Sequence, residues 1–180
     1  MDKEKSNIIS LEDPVEYNIE GINQSQVKPE IGYDFANGLR TILRQDPNMI
    51  MVGEIRDKET AALAIQAALT GHLVFSTLHT NSAVGVIPRL VDMGVDPFLI
   101  APTLLMAMSQ RLVRTLCSDS RKPIPIAGAI KTKLEKEAKG MKFPENVYEG
   151  VPSASCPQGA RGRIAISEIL IKTPELENII

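Results

Sequence analysis

The stretch that decides the fold is DPNMIMVGEIRD, residues 46–57. Its residues 49–52 are four consecutive apolar side chains, a pattern typical of a strand that is buried on both faces. The run passes through Gly53 directly into Glu54 and Arg56. Charged side chains directly after a buried strand raise the question of what they contact.

The composition limits the classes of protein that are possible. The 180 residues fit one domain, or one domain with a small appendage. A net charge of -2 argues against an obligate nucleic-acid partner, and an aromatic content of 4% argues against a base-stacking platform. No apolar run is long enough to span a bilayer, and the first ten residues lack the apolar core of a signal peptide, so we expect a cytoplasmic chain.

The two cysteines, Cys117 and Cys156, allow at most one disulfide. Because the cytosol is reducing, we expect free thiols or the remnants of a metal site.

Apolar runs alternate with helical patterns along the first two thirds of the chain. Asp34 and Asp57 are suited to cap the helices that follow them, and Asp46-Pro47 ends the first helix. This alternation predicts an α/β fold with a mostly parallel sheet flanked by helices. The predicted strands are 8–11, 22–27, 49–52, 72–78 and 162–171, and the predicted helices are 34–45, 57–70, 82–93, 97–108 and 129–139.

The composition changes after about Val113, where Lys, Pro, Ser and Gly become frequent. We therefore predict a core over residues 1–113 and a small C-terminal appendage over residues 114–180.

Three predicted strands end in polar or charged side chains. Ligands of open parallel sheets bind beyond the carboxyl ends of the strands, so these side chains are expected to meet at one edge. The three sets are Glu12, Asp13 and Glu16; Glu54 and Arg56; and Ser76, Thr77, His79 and Thr80.

Carboxylates, arginines and hydroxyls together fit phosphoryl transfer, because acids hold Mg²⁺ or orient water and arginines neutralise phosphoryl oxygens. Arg40 and Arg44 lie four residues apart and share one helix face. Structural alternatives remain open at this point. The Glu54–Arg56 pair is equally consistent with a structural ion pair, the two helix arginines with a solvated face, and His72 with a structural hydrogen bond.

Three longer segments of the sequence, taken together, are far more specific than any of these single residues. ISLEDPVEY, the segment QVKPEIGYDFANGLRTILRQDPNMIMVGEIRDKETAALAIQAALTGHLVFSTLHTNSA and GARGRIAISEIL closely resemble the secretion ATPases of type II secretion and type IV pilus assembly. LEDPVE resembles the family's aspartate box, DPNMIMVGEIRD its Walker B element, and TGHLVFSTLHT its histidine box.

The resemblance implies a RecA-like P-loop NTPase core that uses ATP and Mg²⁺ in a hexameric ring. It implies that Glu16 is the catalytic base, supported by Glu12 and Asp13, and that Glu54 acts on Mg²⁺ through water. It also implies nucleotide-sensing roles for His72 and His79. The implied charge network comprises Arg40, Arg44 and Arg56, with Arg89 and Arg161 as weaker members.

Two features depart from the family pattern. No G-x-x-x-x-G-K-[ST] phosphate cradle occurs in the sequence, so we expect the C-terminal portion of a longer enzyme that alone neither hydrolyses ATP nor binds it tightly. Many members of the type II branch also carry two C-x-x-C zinc pairs. Here Ser120 and Gly159 stand where the second cysteine of each pair would fall, so no zinc is expected.

Two functions are compatible with these features. The first is an ATPase motor fragment that acts on an inner-membrane platform protein, which would place the chain peripherally at that membrane. The second is a docking module that hydrolyses nothing. A retraction ATPase is a third interpretation, although IEGINQSQV and RGRIAISEIL are more similar to the assembly and secretion branch. The motifs do not separate pilus assembly from secretion or DNA uptake.

Overall fold

The computed structural model describes residues 5–138 and 140–180. These residues form two compact units. The first comprises the described residues up to Ser109 together with Glu168–Ile180, and the second comprises Gln110–Ser167. Ile180 packs against the core of the first unit. The predicted division into a core over residues 1–113 and an appendage over residues 114–180 stays a prediction.

A four-stranded parallel sheet organises the first unit. Its strands are β1 (Ile8–Glu12), β2 (Asn23–Gln26), β3 (Met49–Val52) and β4 (Leu73–Ser76), in the spatial order β2-β1-β3-β4. All three neighbouring pairs are parallel. The predicted α/β class with a parallel sheet flanked by helices is therefore confirmed.

Four helices accompany this sheet: α1 (Phe35–Ile42), α2 (Lys58–Leu69), α3 (Val86–Asp92) and α4 (Pro97–Thr103). The two predicted caps form. The Asp34 carboxylate accepts a hydrogen bond from the Asn37 amide, and the Asp57 carboxylate accepts one from the Thr60 amide, each at 2.8 Å. Each cap satisfies an amide that has no partner within its own helix. Among the described residues, no helix is long and apolar enough to cross a membrane.

The core of the first unit lies between the sheet and its helices. Ile50 and Val52 of β3 are completely buried, as is Leu39 of α1. Met51 is 37% exposed, so the expectation that β3 is buried on both faces is wrong. Its side chains alternate, and only the face that bears Ile50 and Val52 is fully covered.

The chain continues as β5 (Met106–Leu116), β6 (Arg121–Pro125), α5 (Gly128–Glu137), β7 (Asn146–Gly150), β8 (Ala160–Ile171) and α6 (Pro174–Ile179). β5 pairs with β8, and β6 pairs antiparallel with β7. The predicted helix over 97–108 ends early, at Thr103. Ala107 is buried between the exposed Met106 and Met108, and this alternation is that of a strand. The helix predicted over 129–139 corresponds to α5, and its last predicted residue, Lys139, lies outside the described residues.

The second unit contains very little core. Among its described residues, only Ser120, Cys156 and Gly159 are buried. Cys117 and Cys156 form a disulfide, so the expectation of free thiols is corrected. The amide of Ser120 donates to the Cys117 carbonyl, and that of Gly159 donates to the Cys156 carbonyl, which makes two similar turns beside the bridge.

The same turns bear on the zinc prediction. A Cβ atom at Gly159 would lie 2.6 Å from the backbone carbon of Gly150, so this position has no space for a ligating side chain. That the chain binds no zinc stays a prediction, which metal analysis of the purified protein tests. About one zinc per chain would contradict it.

Candidate active site

A cavity of about 400 Å³ opens at the carboxyl edge of the parallel sheet. Side chains from the ends of β1, β3 and β4 line it, because parallel strands deliver their carboxyl ends to the same edge. We call it the acidic cavity, because its lining includes four carboxylates. Its polar lining comprises Glu12, Asp13, Glu16, Glu54, Ser76, Thr77 and His79.

Gly53 lets the chain turn into this cavity immediately after β3. Its amide donates a 2.7 Å hydrogen bond to the Leu11 carbonyl. A Cβ atom at this position would lie 3.1 Å from the same carbonyl oxygen, closer than an ordinary contact. The close approach of the two backbones places Glu54 beside the end of β1.

Two side chains hold Glu54 in place. Its side chain is only 12% exposed, and its Oε2 atom accepts hydrogen bonds from Arg56 and from Nε2 of His79. The hydrogen bond from Arg56 lowers the pKa of Glu54 below its usual range, and His79 lowers this pKa further, although burial opposes both effects. The Glu54 carboxylate therefore stays ionised as a fixed negative charge.

Arg56 connects two of the strand ends electrostatically. Its pKa is raised, first by the hydrogen bond to Glu54 and then by the charge of Glu54, with a smaller contribution from the charge of Asp13. The Arg56 guanidinium therefore contacts the acid that follows β3 and also interacts electrostatically with an acid that follows β1.

Glu12 is held by residues that sequence reasoning missed. The buried hydroxyl of Ser10 donates to Glu12 Oε1 at 2.5 Å, and the Gln24 amide donates to the same oxygen at 2.9 Å. Gln24 reaches Glu12 because the register of β1 and β2 aligns Gln24 with Ser10. The alternation of INQSQV indicated a strand, but only the strand pairing brings Gln24 to the site.

The residues that follow β4, in the histidine box, are also hydrogen-bonded to the residues that follow β3, in the Walker B segment. The Thr77 hydroxyl donates to the Gly53 carbonyl at 2.7 Å, and the Ile55 amide donates to the Thr77 carbonyl at 3.0 Å. Asp13 and Glu16 lie on the loop after β1 with exposed side chains. The site thus combines fixed acids, Glu12 and Glu54, with two solvent-accessible acids.

Other predicted site residues lie elsewhere. His72 precedes β4, at the opposite end of that strand from His79, and its Nδ1 lies 3.0 Å from the Ala67 carbonyl and 3.1 Å from the Thr70 hydroxyl. Arg40 of α1, Arg44 just after α1 and Arg89 of α3 do not line the acidic cavity, and Arg161 belongs to the second unit.

Two of these arginines share a separate depression. Arg40 pairs with Glu59 at the start of α2 and donates to the Asn37 side chain at 3.2 Å. Arg44 lines the same open depression as Arg40. Arg89 is exposed on α3, and Arg161 donates to the Ser155 carbonyl at 3.0 Å. The single charge network that the resemblance implied stays a prediction for these four residues.

The donor set of the acidic cavity suits Mg²⁺. This ion prefers oxygen ligands and is commonly held by one or two carboxylates together with water and substrate phosphates. Among the described residues, no group of three or more His, Cys, Asp or Glu side chains is arranged to hold a metal alone. The hydrogen bonds that Arg56 and His79 make to Glu54 both end on its Oε2 atom, so neither of them occupies the Oε1 atom that a metal ion would bind. The residues present therefore fit a magnesium ion that keeps water and phosphate ligands.

Comparison with known proteins agrees with this geometry. The model of the family described as Type II/IV secretion system protein matches residues 1–180. The chain belongs to this family. Its sequence is 50% identical to the type II secretion system ATPase E of Vibrio cholerae serotype O1, over 100% of this chain and 35% of that protein. It is 46% identical to the type IV pilus assembly ATPase PilB of Acinetobacter baylyi, over 100% of this chain and 31% of that protein.

Among solved structures, the pilus retraction motor PilT with bound ADP is similar at a TM-score of 0.67 and 32% identity. The match covers 97% of this chain and 41% of that one. The Type II/IV secretion family assignment and the RecA-like fold are thus confirmed, since the fold is that of secretion and pilus ATPases. The chain spans 35% and 31% of the length of the two curated relatives.

Proposed function

We propose that this chain supplies the acidic half of an ATP-hydrolysing site in a motor that powers type II protein secretion or type IV pilus assembly. The observation that carries this proposal is the acidic cavity, where the ends of three parallel strands deliver Glu12, Asp13, Glu16 and Glu54 to one place. Membership of the Type II/IV secretion family supports it. The identity of 50% to an ATPase E, against 32% to PilT, favours the secretion and assembly branch.

The accessible acids and the fixed acids have different roles in this proposal. Glu16 is exposed at the cavity, so its carboxylate is free to accept a proton from an attacking water. Glu54 remains ionised between Arg56 and His79 and suits a magnesium ion that is also bound by water and phosphate. A bound Mg²⁺ would neutralise charge on the transferred phosphoryl group. His79 holds Glu54 in place and lies where it can respond to a nucleotide.

The phosphate-binding half of such a site requires different chemistry. None of the described residues that line the acidic cavity is a lysine or an arginine. Backbone amides and a lysine ordinarily cradle the β- and γ-phosphates in P-loop ATPases. The chain on its own is therefore expected to hydrolyse no ATP and to bind it weakly, while a hexameric ring and an inner-membrane platform protein belong to the complete motor.

A docking module that hydrolyses nothing is the second candidate, and the absence of lysine and arginine among the described residues of the cavity lining favours it. Steady-state phosphate release separates the two. The 180-residue chain should show no turnover, whereas the chain assembled with a phosphate-binding segment should hydrolyse ATP in a Mg²⁺-dependent way. Turnover by the chain alone would contradict the proposal that another segment supplies the phosphate-binding half of the site. No turnover by the assembled protein would favour the docking module.

A further inference from the structure

The loop between β1 and β2 carries Glu16, and little packing holds it. It comprises residues 13–22, which are all described and form neither helix nor strand. Of residues 13–21, only Val15 is even partly buried, and the Tyr17 side chain is 80% exposed. A surface loop with so few buried side chains samples several conformations unless hydrogen bonds restrict it. We call this segment the Glu16 loop.

Gln24 of β2 holds the Glu16 loop at two backbone positions. Its side-chain oxygen accepts a 2.7 Å hydrogen bond from the Ile19 amide. Its side-chain nitrogen donates a hydrogen bond of 2.9 Å to the carbonyl of Tyr17, the residue that directly follows Glu16. The two hydrogen bonds therefore fix the backbone next to the acid that is proposed as the base.

The same side chain also holds Glu12. The Gln24 nitrogen donates to Glu12 Oε1 at 2.9 Å, and the Ser10 hydroxyl donates to the same oxygen at 2.5 Å. A glutamine amide has two donor hydrogens and one acceptor oxygen, so one Gln24 side chain satisfies Glu12, Tyr17 and Ile19 at once. Glutamate lacks the two donors, and asparagine is one methylene shorter. The side chain thus ties the Glu16 loop to a fixed acid at the end of β1.

We propose that Gln24 is a positioning residue, which sets the place of Glu16 at the acidic cavity by tying its loop to Glu12. This inference rests on the proposed function, in which Glu16 accepts a proton from the attacking water. Gln24 is not among the described residues that line the acidic cavity, so it acts through the loop. A displacement of a catalytic group by about 1 Å costs up to about 100-fold in rate.

NMR of the 180-residue chain tests this anchor without any nucleotide. Gln24→Met keeps a side chain of similar length but removes both donors and the acceptor. The Ile19 amide should then exchange with solvent at least about tenfold faster. The backbone order parameter of Glu16 should fall from about 0.85 to about 0.6. The Gly53 amide, which donates to the Leu11 carbonyl, should keep its protection, which shows that the sheet remains folded.

Gln26→Met is the matched control for this substitution. Gln26 lies on the same strand and is exposed, and it is not among the described residues that line the acidic cavity. The control variant should change neither the exchange of the Ile19 amide nor the order parameter of Glu16. An equal effect of the two variants would assign the loosening to β2 as a whole and would overturn the proposal.

Steady-state kinetics of the assembled ATPase test the effect on the reaction. Gln24→Met should lower kcat by about 10- to 100-fold and leave the KM for ATP within about twofold, because the base is displaced and the nucleotide is not. In a protein that already carries Glu16→Gln, Gln24→Met should cause at most about a twofold further loss, because Gln24 acts through Glu16. Losses that multiply would indicate a separate structural role and would contradict the proposal.

The two experiments also separate this inference from the proposed function. If Gln24→Met changes neither the Ile19 amide nor the Glu16 order parameter, the positioning role is wrong whatever the kinetics show. If both change while turnover of the assembled ATPase does not, the loop is anchored but the anchor does not position the base, which also overturns the proposal. If the unsubstituted assembled protein hydrolyses no ATP, the proposed function fails, and the NMR result alone decides whether Gln24 fixes the place of Glu16.

Discussion

Nε2 of His79 lies 3.1 Å from the carboxylate of Glu54, although the two residues are 25 positions apart in the chain. β3 and β4 are parallel neighbours, with Val52 in register with Ser76, so the residues that follow each strand meet at one edge. Arg56 donates to the same oxygen of Glu54. The end of the Walker B strand and the end of the histidine-box strand are therefore joined through one carboxylate.

The first prediction concerns the ionisation of Glu54. Arg56→Ala removes the main cause of its low pKa, so this pKa should rise toward the ordinary glutamate value of about 4.3. NMR titration of the Glu54 carboxyl carbon measures the change. Arg44→Ala removes an exposed arginine outside the acidic cavity and should leave the Glu54 titration unchanged.

The same interaction sets a pH dependence of stability. A carboxyl whose pKa is lower in the folded state contributes stability above its unfolded pKa and loses it as pH falls through the folded pKa. The difference in unfolding free energy between the unsubstituted chain and Arg56→Ala should therefore be constant above about pH 5 and shrink below about pH 4.3. Urea unfolding at several pH values measures it. A difference that grows toward acid pH would contradict the assignment.

The second prediction concerns Glu16 as the base. In the assembled ATPase, Glu16→Gln should lower the turnover number by about 10²- to 10⁴-fold, because the amide cannot accept a proton from water. Glu30→Gln is the matched control, since Glu30 is exposed and lies outside the acidic cavity. If Glu16→Gln retains full turnover, the role of base passes to Glu12 or Glu54.

The third prediction separates capping from chemistry at Asp57. Its carboxylate accepts bonds from the Thr60 amide and hydroxyl at 2.8 and 2.9 Å. Asp57→Ala should destabilise the fold by about 0.5–2 kcal/mol, whereas Asp57→Asn keeps an acceptor oxygen and should cost less. Thermal unfolding compares the three chains. If the Asp57→Asn chain is stably folded but the assembled ATPase that contains it loses ATP turnover, Asp57 is instead assigned to the chemistry.

The fourth prediction concerns the two faces of β3. Ile50 is completely buried, so Ile50→Ala should cost about 2–5 kcal/mol through lost contacts and the cavity left behind. Met51→Ala on the same strand should cost clearly less, because Met51 is 37% exposed. Chemical denaturation of the two variants measures both effects. Equal losses would mean that something covers the second face of β3 in solution.

The fifth prediction concerns the Cys117–Cys156 bridge. The cysteines are 39 residues apart, and closing a loop of that length removes about 4 kcal/mol of chain entropy from the unfolded state. Since the second unit has so few buried residues, reduction with dithiothreitol should open residues 117–156 to proteolysis while the first unit stays resistant. A Cys117→Ser, Cys156→Ser chain should be cleaved in the same region without reductant. Identical digestion of oxidised and reduced protein would show that the bridge does not hold this unit.

The amino-acid sequence was enough to predict the local elements of the first unit and the sheet edge at which its polar side chains gather. Apolar runs ending at Glu12, Glu54 and Ser76 encode strands and their polar ends, and the aspartates before α1 and α2 encode caps, because these signals depend on neighbouring residues alone. It failed where the pattern was short or mixed, as at Met106, where a strand begins inside a predicted helix.

Which of the predicted site residues meet follows from the three-dimensional arrangement of the strands. Strand order and register bring Gln24 to Glu12 and His79 to Glu54, while His72 and Arg40 lie away from the acidic cavity although their motifs are equally prominent in the sequence. Proximity across a sheet depends on which distant segments pair, whereas the alternation within one strand specifies only which of its faces is buried.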